Sequence, residues 1–245
     1  MNLPFDGHTR RRLYLVRHGQ AAATRSEDGL YGDDISLTAR GIVEARAMRD
    51  LLKTVRFDEA YSSDVRRARE TAAIILEPHA VTAVSSVAYT EMRGDIQTAL
   101  SADIPDSEKL ASFAYLLWSA RDPSADFFGG EVFAGYLAAA TRTLDQLVRT
   151  TRAERILIVS HSGFQRAALS WALDAAPIAM AAFEQDSCCL NILDIDVDAT
   201  GSCVRKHVRL ANFTPLDATK QDAFLTDGET LAVRLHAHLK QDPQR

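Results

Sequence analysis

Cysteine is scarce in this chain of 245 residues: Cys188, Cys189 and Cys203 are an odd number, two of them adjacent. Neither a disulfide framework nor a zinc site of cysteine-pair spacing is expected from such a set. Long apolar runs are missing too. The greasiest stretch, Ala167 to Phe183, is broken by Ser170, Asp174 and Pro177, so no membrane-spanning helix is expected. Positive charge is not in excess, since 28 Lys and Arg face 33 Asp and Glu for a net of −5. That balance argues against nucleic acid or a membrane surface as partner. The N-terminal basic residues are followed by no apolar segment of signal-peptide type, and a cytoplasmic protein with reduced thiols is expected. No repeat, low-complexity tract or Pro/Gly-rich linker divides the chain.

Short apolar runs alternate with longer amphipathic segments from end to end. This pattern predicts a single α/β domain, a mostly parallel central sheet with helices on both faces. Arg12 to Val16 reads as a strand that stops at Arg17-His18-Gly19, and Arg10-Arg11-Arg12 reads as part of a solvated arm over residues 1–12. Thr38 can cap a helix whose apolar positions Ile42, Ala45, Met48, Leu51 and Leu52 share a face. Phe57 to Tyr61 is a second strand. A helix then starts around Ser62-Ser63-Asp64 and is stopped by Pro78, and Ala80 to Ala88 reads as a third strand. Residues 89–130 are irregular and acidic, as expected of an insertion over one end of the sheet. Glu131 to Arg149 reads as a helix, Arg155 to Ser160 as a buried strand ending at His161-Ser162-Gly163, and Phe164 to Leu173 as a helix. Cys188 to Val197 and Ser202 to Leu210 read as a hairpin, and Glu229 to Leu239 as a terminal helix.

Two strands thus end in a histidine followed by a turn and a helix. In a parallel α/β sheet ligands bind beyond the carboxyl ends of strands, where helix N-termini offer free N–H groups and a positive dipole end. One such histidine is commonly a hydrogen-bonded surface residue; two, with Arg17 beside His18, mark a candidate site. No Asp, Glu or His cluster of ligand spacing surrounds either, so neither metal nor cofactor is expected. His236 and His238 lie two apart on a predicted helix and are expected on different, solvated faces.

Leu13-Tyr-Leu-Val-Arg-His-Gly-Gln20 resembles the Arg-His-Gly signature of the histidine phosphatase superfamily, which includes phosphoglycerate mutases and small phosphatases. Further matching features follow in that family's order: Leu37-Thr38-Ala-Arg-Gly41, then Ser62-Ser-Asp-Val-Arg-Arg67-Ala68-Arg-Glu-Thr71-Ala72, then Glu91, then Gly130-Glu131, then Val159-Ser-His161-Ser-Gly163. The resemblance covers about residues 13–211, with residues 212–245 expected as a C-terminal extension packing on the same domain. It implies a metal-independent phosphatase of a small phosphorylated metabolite, with His18 as the nucleophile that becomes phosphohistidine. Arg17, Arg67 and His161 would hold the phosphate, aided by Gly19, Thr24 and Ser162. Guanidinium forks suit phosphate oxygens, and positioning with charge stabilisation supplies nearly all of phosphoryl-transfer catalysis. A nearby backbone carbonyl would fix the other ring nitrogen of His18.

Glu91 matches the family's general acid, with Asp95 as its competitor, and Ser162 reads equally as a phosphate donor or a helix cap. Arg66 and Glu70 read as an i,i+4 pair on a solvated helix face. Ala21 and Thr24 stand where mutases and many phosphatases carry a hydroxyl residue and an asparagine. The acidic insertion disfavours a bisphosphorylated cofactor. Both departures favour a phosphatase over a phosphoglycerate mutase, the alternative enzyme. A phosphohistidine-protein phosphatase and a phosphate-binding interaction protein are the readings of another class, and no homo-oligomer is predicted.

Overall fold

β1 (Thr9–Arg17) alternates in a way that serves both sides of a sheet: Leu13 and Leu15 face one layer, Tyr14 and Val16 the other. β4 (Arg155–Ser160) runs parallel beside it in the register Leu13↔Ile156 to Arg17↔Ser160, and its residues alternate likewise. The computed structural model describes residues 7–21, 35–95, 103–222 and 224–239. With β2 (Glu59–Ser62), β3 (Ala83–Ser85), β5 (Leu190–Val197) and β6 (Cys203–Phe213), one sheet forms in the order β3-β2-β4-β1-β5-β6. β3, β2, β4 and β1 are parallel, whereas β5 and β6 add an antiparallel edge.

Two apolar layers cover the sheet. α1 (Ala39–Leu52) and α2 (Arg66–Leu76) bury Ala45, Met48, Leu52, Ala68, Ala72 and Ile75 against Tyr14, Val16, Leu157 and Val159. α4 (Phe133–Thr150) and α5 (Ser162–Ala172) bury Phe133, Leu144, Phe164 and Leu169 against Leu13, Leu15, Ile156 and Ile158. The Thr38 Oγ1 accepts the Gly41 N–H and caps α1, as its sequence position predicts. The Ala167 to Phe183 stretch is α5, a turn and the short α6 (Ile178–Ala182). Among the described residues no helix is long and apolar enough to cross a membrane.

The arginine triplet is not a solvated arm. β1 begins at Thr9, and its antiparallel register sets Arg10 opposite Asp196 and Arg12 opposite Asp194. Both carboxylates are buried, and each arginine meets its partner through two hydrogen bonds of 2.6–3.0 Å. Alternation turns Arg11 to the other face, where it donates to the Thr151 carbonyl. Cross-strand ion pairing therefore extends the strand by three residues that hydropathy reads as its outer flank. The third strand is shorter than its apolar alternation suggests. The Ser86 Oγ accepts the Ala88 N–H and turns the chain into a 3₁₀ segment, Val87–Tyr89, which leads to Glu91. Beyond it lie α3 (Asp106–Ala114) and a 3₁₀ segment, Leu116–Arg121. α7 (Asp227–Leu239) packs on α3 through Phe113, Ala232 and Leu235, a cluster separate from the two sheet layers.

Candidate active site

The parallel register that pairs Arg17 with Ser160 brings the next residues, His18 and His161, side by side, with ring centroids 5.1 Å apart. Both rings are buried. The His18 Nδ1 lies 2.8 Å from the Gly19 carbonyl oxygen, and Arg67 Nε donates to Nε2 at 3.2 Å. A guanidinium can only donate, so Nε2 is the acceptor and Nδ1 carries the proton that bonds to Gly19. His18 is thus held as one neutral tautomer, its Nε2 lone pair on the side of Arg67. Its pKa is pushed well below the usual histidine value by burial first, then by His161, Arg67 and Arg17.

Arg67 stands in the first turn of α2, where the helix dipole adds to its charge. Its Nη2 reaches the His161 Nδ1 at 3.4 Å, and the His161 Nε2 meets the Ser63 Oγ at 2.9 Å. His161 is completely buried behind Arg67, with both nitrogens engaged; burial, Arg67 and Arg17 hold its pKa well below normal. The sequence expectation made it a direct phosphate donor, and in this geometry it is a support of the arginine. Arg17 donates to the Gln185 carbonyl and, at 2.9 Å, to the Asp227 carboxylate, while its buried Nε has no partner among the described residues.

A cavity of about 800 Å³ opens over these groups, walled by Arg17, His18, Arg67, Glu91, Ser162 and Gly163. Residues of the acidic insertion, Met92, Leu116 and Phe127 among them, form its outer wall. Glu91 sits half-buried on that wall and its Oε1 accepts the Met92 N–H (2.9 Å) and the Gly163 N–H (3.0 Å). Burial raises the pKa of its carboxyl, opposed by these N–H groups and by Arg17 and Arg67. Its competitor Asp95 is exposed, with its backbone N–H on Phe128, and is not part of the cavity wall. Gly163 is what admits Glu91: a Cβ there would lie 2.3 Å from Oε1.

Two further expectations change in the structure. The Gly19 N–H is committed to Thr71 Oγ1 at 3.0 Å and its carbonyl to His18, so Gly19 fixes the His18 ring and offers phosphate no donor. Ser162 is the first residue of α5 and not its cap, which is His161; it faces the cavity and its Oγ accepts from Arg166 Nε. Thr24 lies outside the described residues. Arg66 and Glu70 do pair at 2.8 Å, but Glu70 also accepts the Leu37 N–H and so ties α2 to the segment before α1. Sequence reasoning missed Ser63, Thr71, Gln185 and Asp227. The Ser-Ser step before Arg67 and the Thr four residues after it carry a readable signal; Gln185 and Asp227 do not. Among the described residues no group of three or more His, Cys, Asp or Glu could hold a metal ion.

Against known proteins, the family description of the histidine phosphatase superfamily (branch 1) matches residues 13–205. The chain belongs to that superfamily. Among relatives of this histidine phosphatase, the adenosylcobalamin/alpha-ribazole phosphatase of Escherichia coli K12 is 30% identical over 190 residues, 76% of this chain and 90% of that protein. A metal-independent phosphoserine phosphatase of Arabidopsis thaliana is 29% identical over 161 residues, 63% and 66% of the two chains. The crystal structure of the alpha-ribazole phosphatase from Shigella flexneri superposes with a TM-score of 0.59 at 27% identity, covering 82% of this chain and 96% of that one. Membership with such relatives makes the chain a phosphoric monoester hydrolase of the histidine phosphatase type.

Proposed function

We propose that the protein hydrolyses a small phosphomonoester through a phosphohistidine on His18, with no metal ion. The observation that carries this reading is His18 itself, neutral, tied through Nδ1 to Gly19 and lining the same cavity as two arginines and a carboxyl group of raised pKa. Arg17 and Arg67 take the phosphate oxygens and neutralise the dianion, the role a divalent cation fills in other phosphatases. The Nε2 lone pair attacks phosphorus as the ester oxygen departs, forming the N–P bond and breaking the O–P bond. Glu91, whose acid form burial favours, gives its proton to the leaving alkoxide. As a carboxylate it then takes a proton from water, whose oxygen attacks the phosphohistidine and releases inorganic phosphate with His18 restored.

His161 supports the same chemistry. Its Nδ1 accepts from Arg67 Nη2 and its Nε2 meets the Ser63 Oγ, which holds the guanidinium in place for the phosphate. Phosphate release from a panel of metabolite phosphomonoesters, assayed in EDTA beside isomerisation of 3-phosphoglycerate with a bisphosphorylated primer, tests the reading. Hydrolysis of at least one monoester that outpaces isomerisation is expected. A strict need for a divalent ion in folded protein, or efficient isomerisation, would replace it with another phosphatase chemistry or with a mutase.

A further inference from the structure

Arg17 does not wait for phosphate with a free fork. Its Nη2 is bonded at 2.9 Å to a carboxylate oxygen of Asp227, Nη1 is held by the Gln185 carbonyl, and the buried Nε has no partner among the described residues. A carboxylate on a guanidinium nitrogen is the nearest protein equivalent of a phosphate oxygen there. Asp227 lies 210 residues along the chain, outside the segment that matches the family, and is the first residue of α7. The Asp227 side chain is 39% exposed against 11% for Arg17, so the carboxylate is the partner with a solvent side to move to.

The element that carries Asp227, α7, packs on α3 through its own small apolar cluster and not on the sheet. The first turn closes on the end of α3 so tightly that a Cβ at Gly228 would lie 2.6 Å from the Ala114 carbonyl oxygen and 2.7 Å from that of Phe113. Toward the site, Asp227 makes the Arg17 pair and donates its N–H to Glu184. Gly228, Leu231 and Arg234 of α7 face the same cavity as His18.

We propose that Asp227 is a built-in competitor for the substrate phosphate. The incoming phosphate takes the Arg17 Nη2 and the unpartnered Nε, and Asp227 withdraws with the first turn of α7. When inorganic phosphate leaves, the carboxylate returns to the guanidinium and opposes rebinding of product. Affinity at the phosphate site is thereby set by a residue outside the family segment. This inference rests on the reading of Arg17 as a phosphate ligand.

Competitive inhibition of p-nitrophenyl phosphate hydrolysis by inorganic phosphate tests it in wild type, Asp227→Asn and Asp227→Ala. Removing the competing charge should lower the inhibition constant about tenfold, the scale of one charge-assisted hydrogen bond. A residue that merely positions Arg17 would do the reverse, so an unchanged or raised constant in the variants overturns the proposal and leaves the phosphate site standing. A wild type that does not bind phosphate overturns both. Should a variant fold poorly, amide hydrogen exchange of the wild type decides: phosphate should speed exchange in the first turns of α7, and unchanged or slower exchange there contradicts displacement of Asp227.

Discussion

Replacing Gly163 by Ala tests whether Glu91 is the proton donor without removing any reacting group. The new Cβ would lie 2.3 Å from Glu91 Oε1 and 3.4 Å from its carboxyl carbon. Carbon and oxygen in contact need about 3.3 Å, so the carboxyl group must retreat by about 1 Å and lose its 3.0 Å hydrogen bond from the Gly163 N–H. A misplacement of that size costs about 10²-fold in a positioned catalytic group. Alanine is the better helix former at this place in α5, so circular dichroism should show an intact fold. Single-turnover transfer of phosphate to the enzyme is the assay, since the proposed mechanism gives Glu91 the hydrolytic step as well and steady state would merge the two. An alkyl phosphate, whose alkoxide leaves badly without a proton, should lose about 10²-fold in Gly163→Ala and about 10²–10⁴-fold in Glu91→Gln. p-Nitrophenyl phosphate should lose far less in both. Equal losses on the two substrates would refute the acid role of Glu91.

His18 and His161 have pKa values held below the ordinary 6.5, so an unfolded chain takes up protons that the native one refuses as pH drops. Their contribution to stability is full above about pH 6.5 and is lost as pH falls from there toward the depressed values; His18→Gln should therefore flatten the fall of Tm in mild acid. Glu91 has the opposite sign. With its pKa raised above 4.5 it costs stability as pH rises through that raised value, so Glu91→Gln should melt higher than wild type at neutral pH, with the gap closing toward pH 4.5. Arg12→Ala leaves the buried Asp194, among the described residues, with ion pairs to Arg10 at 3.9 Å and Arg209 at 3.8 Å, and urea unfolding should show a loss of about 1–2 kcal/mol. No loss would mean that the cross-strand pairs do not hold the start of β1.

The end of the site formed by Arg17, His18, Arg67 and His161 is legible in the sequence because each of these residues sits at a strand or helix end that local pattern announces. An apolar run stopped by Arg-His-Gly delivers Arg17 and His18, another stopped by His-Ser-Gly delivers His161, and parallel pairing of the two runs sets the histidines together. What remained hidden depends on contacts far apart in the chain. Arg10 and Arg12 look solvated until Asp194 and Asp196 stand opposite them, and Asp-x-Asp within the apolar Leu190–Val197 run was the available signal. The Asp227 pair with Arg17 spans 210 residues and carries no local pattern at all. Gly19 and Ser162 were placed in the site by type, yet the backbone of Gly19 serves Thr71 and His18, a commitment visible only in three dimensions.

The central claim is the covalent bond to His18. Enzyme mixed with a ³²P-labelled monoester and quenched in alkali should retain the label, which acid should release, as a phosphoramidate requires; peptide mapping of the alkaline sample should place it on His18. His18→Ala, folded and still able to bind inorganic phosphate, should take up no label and lose turnover. Near-normal turnover in His18→Ala, or label that survives acid and is lost in alkali, would contradict the account.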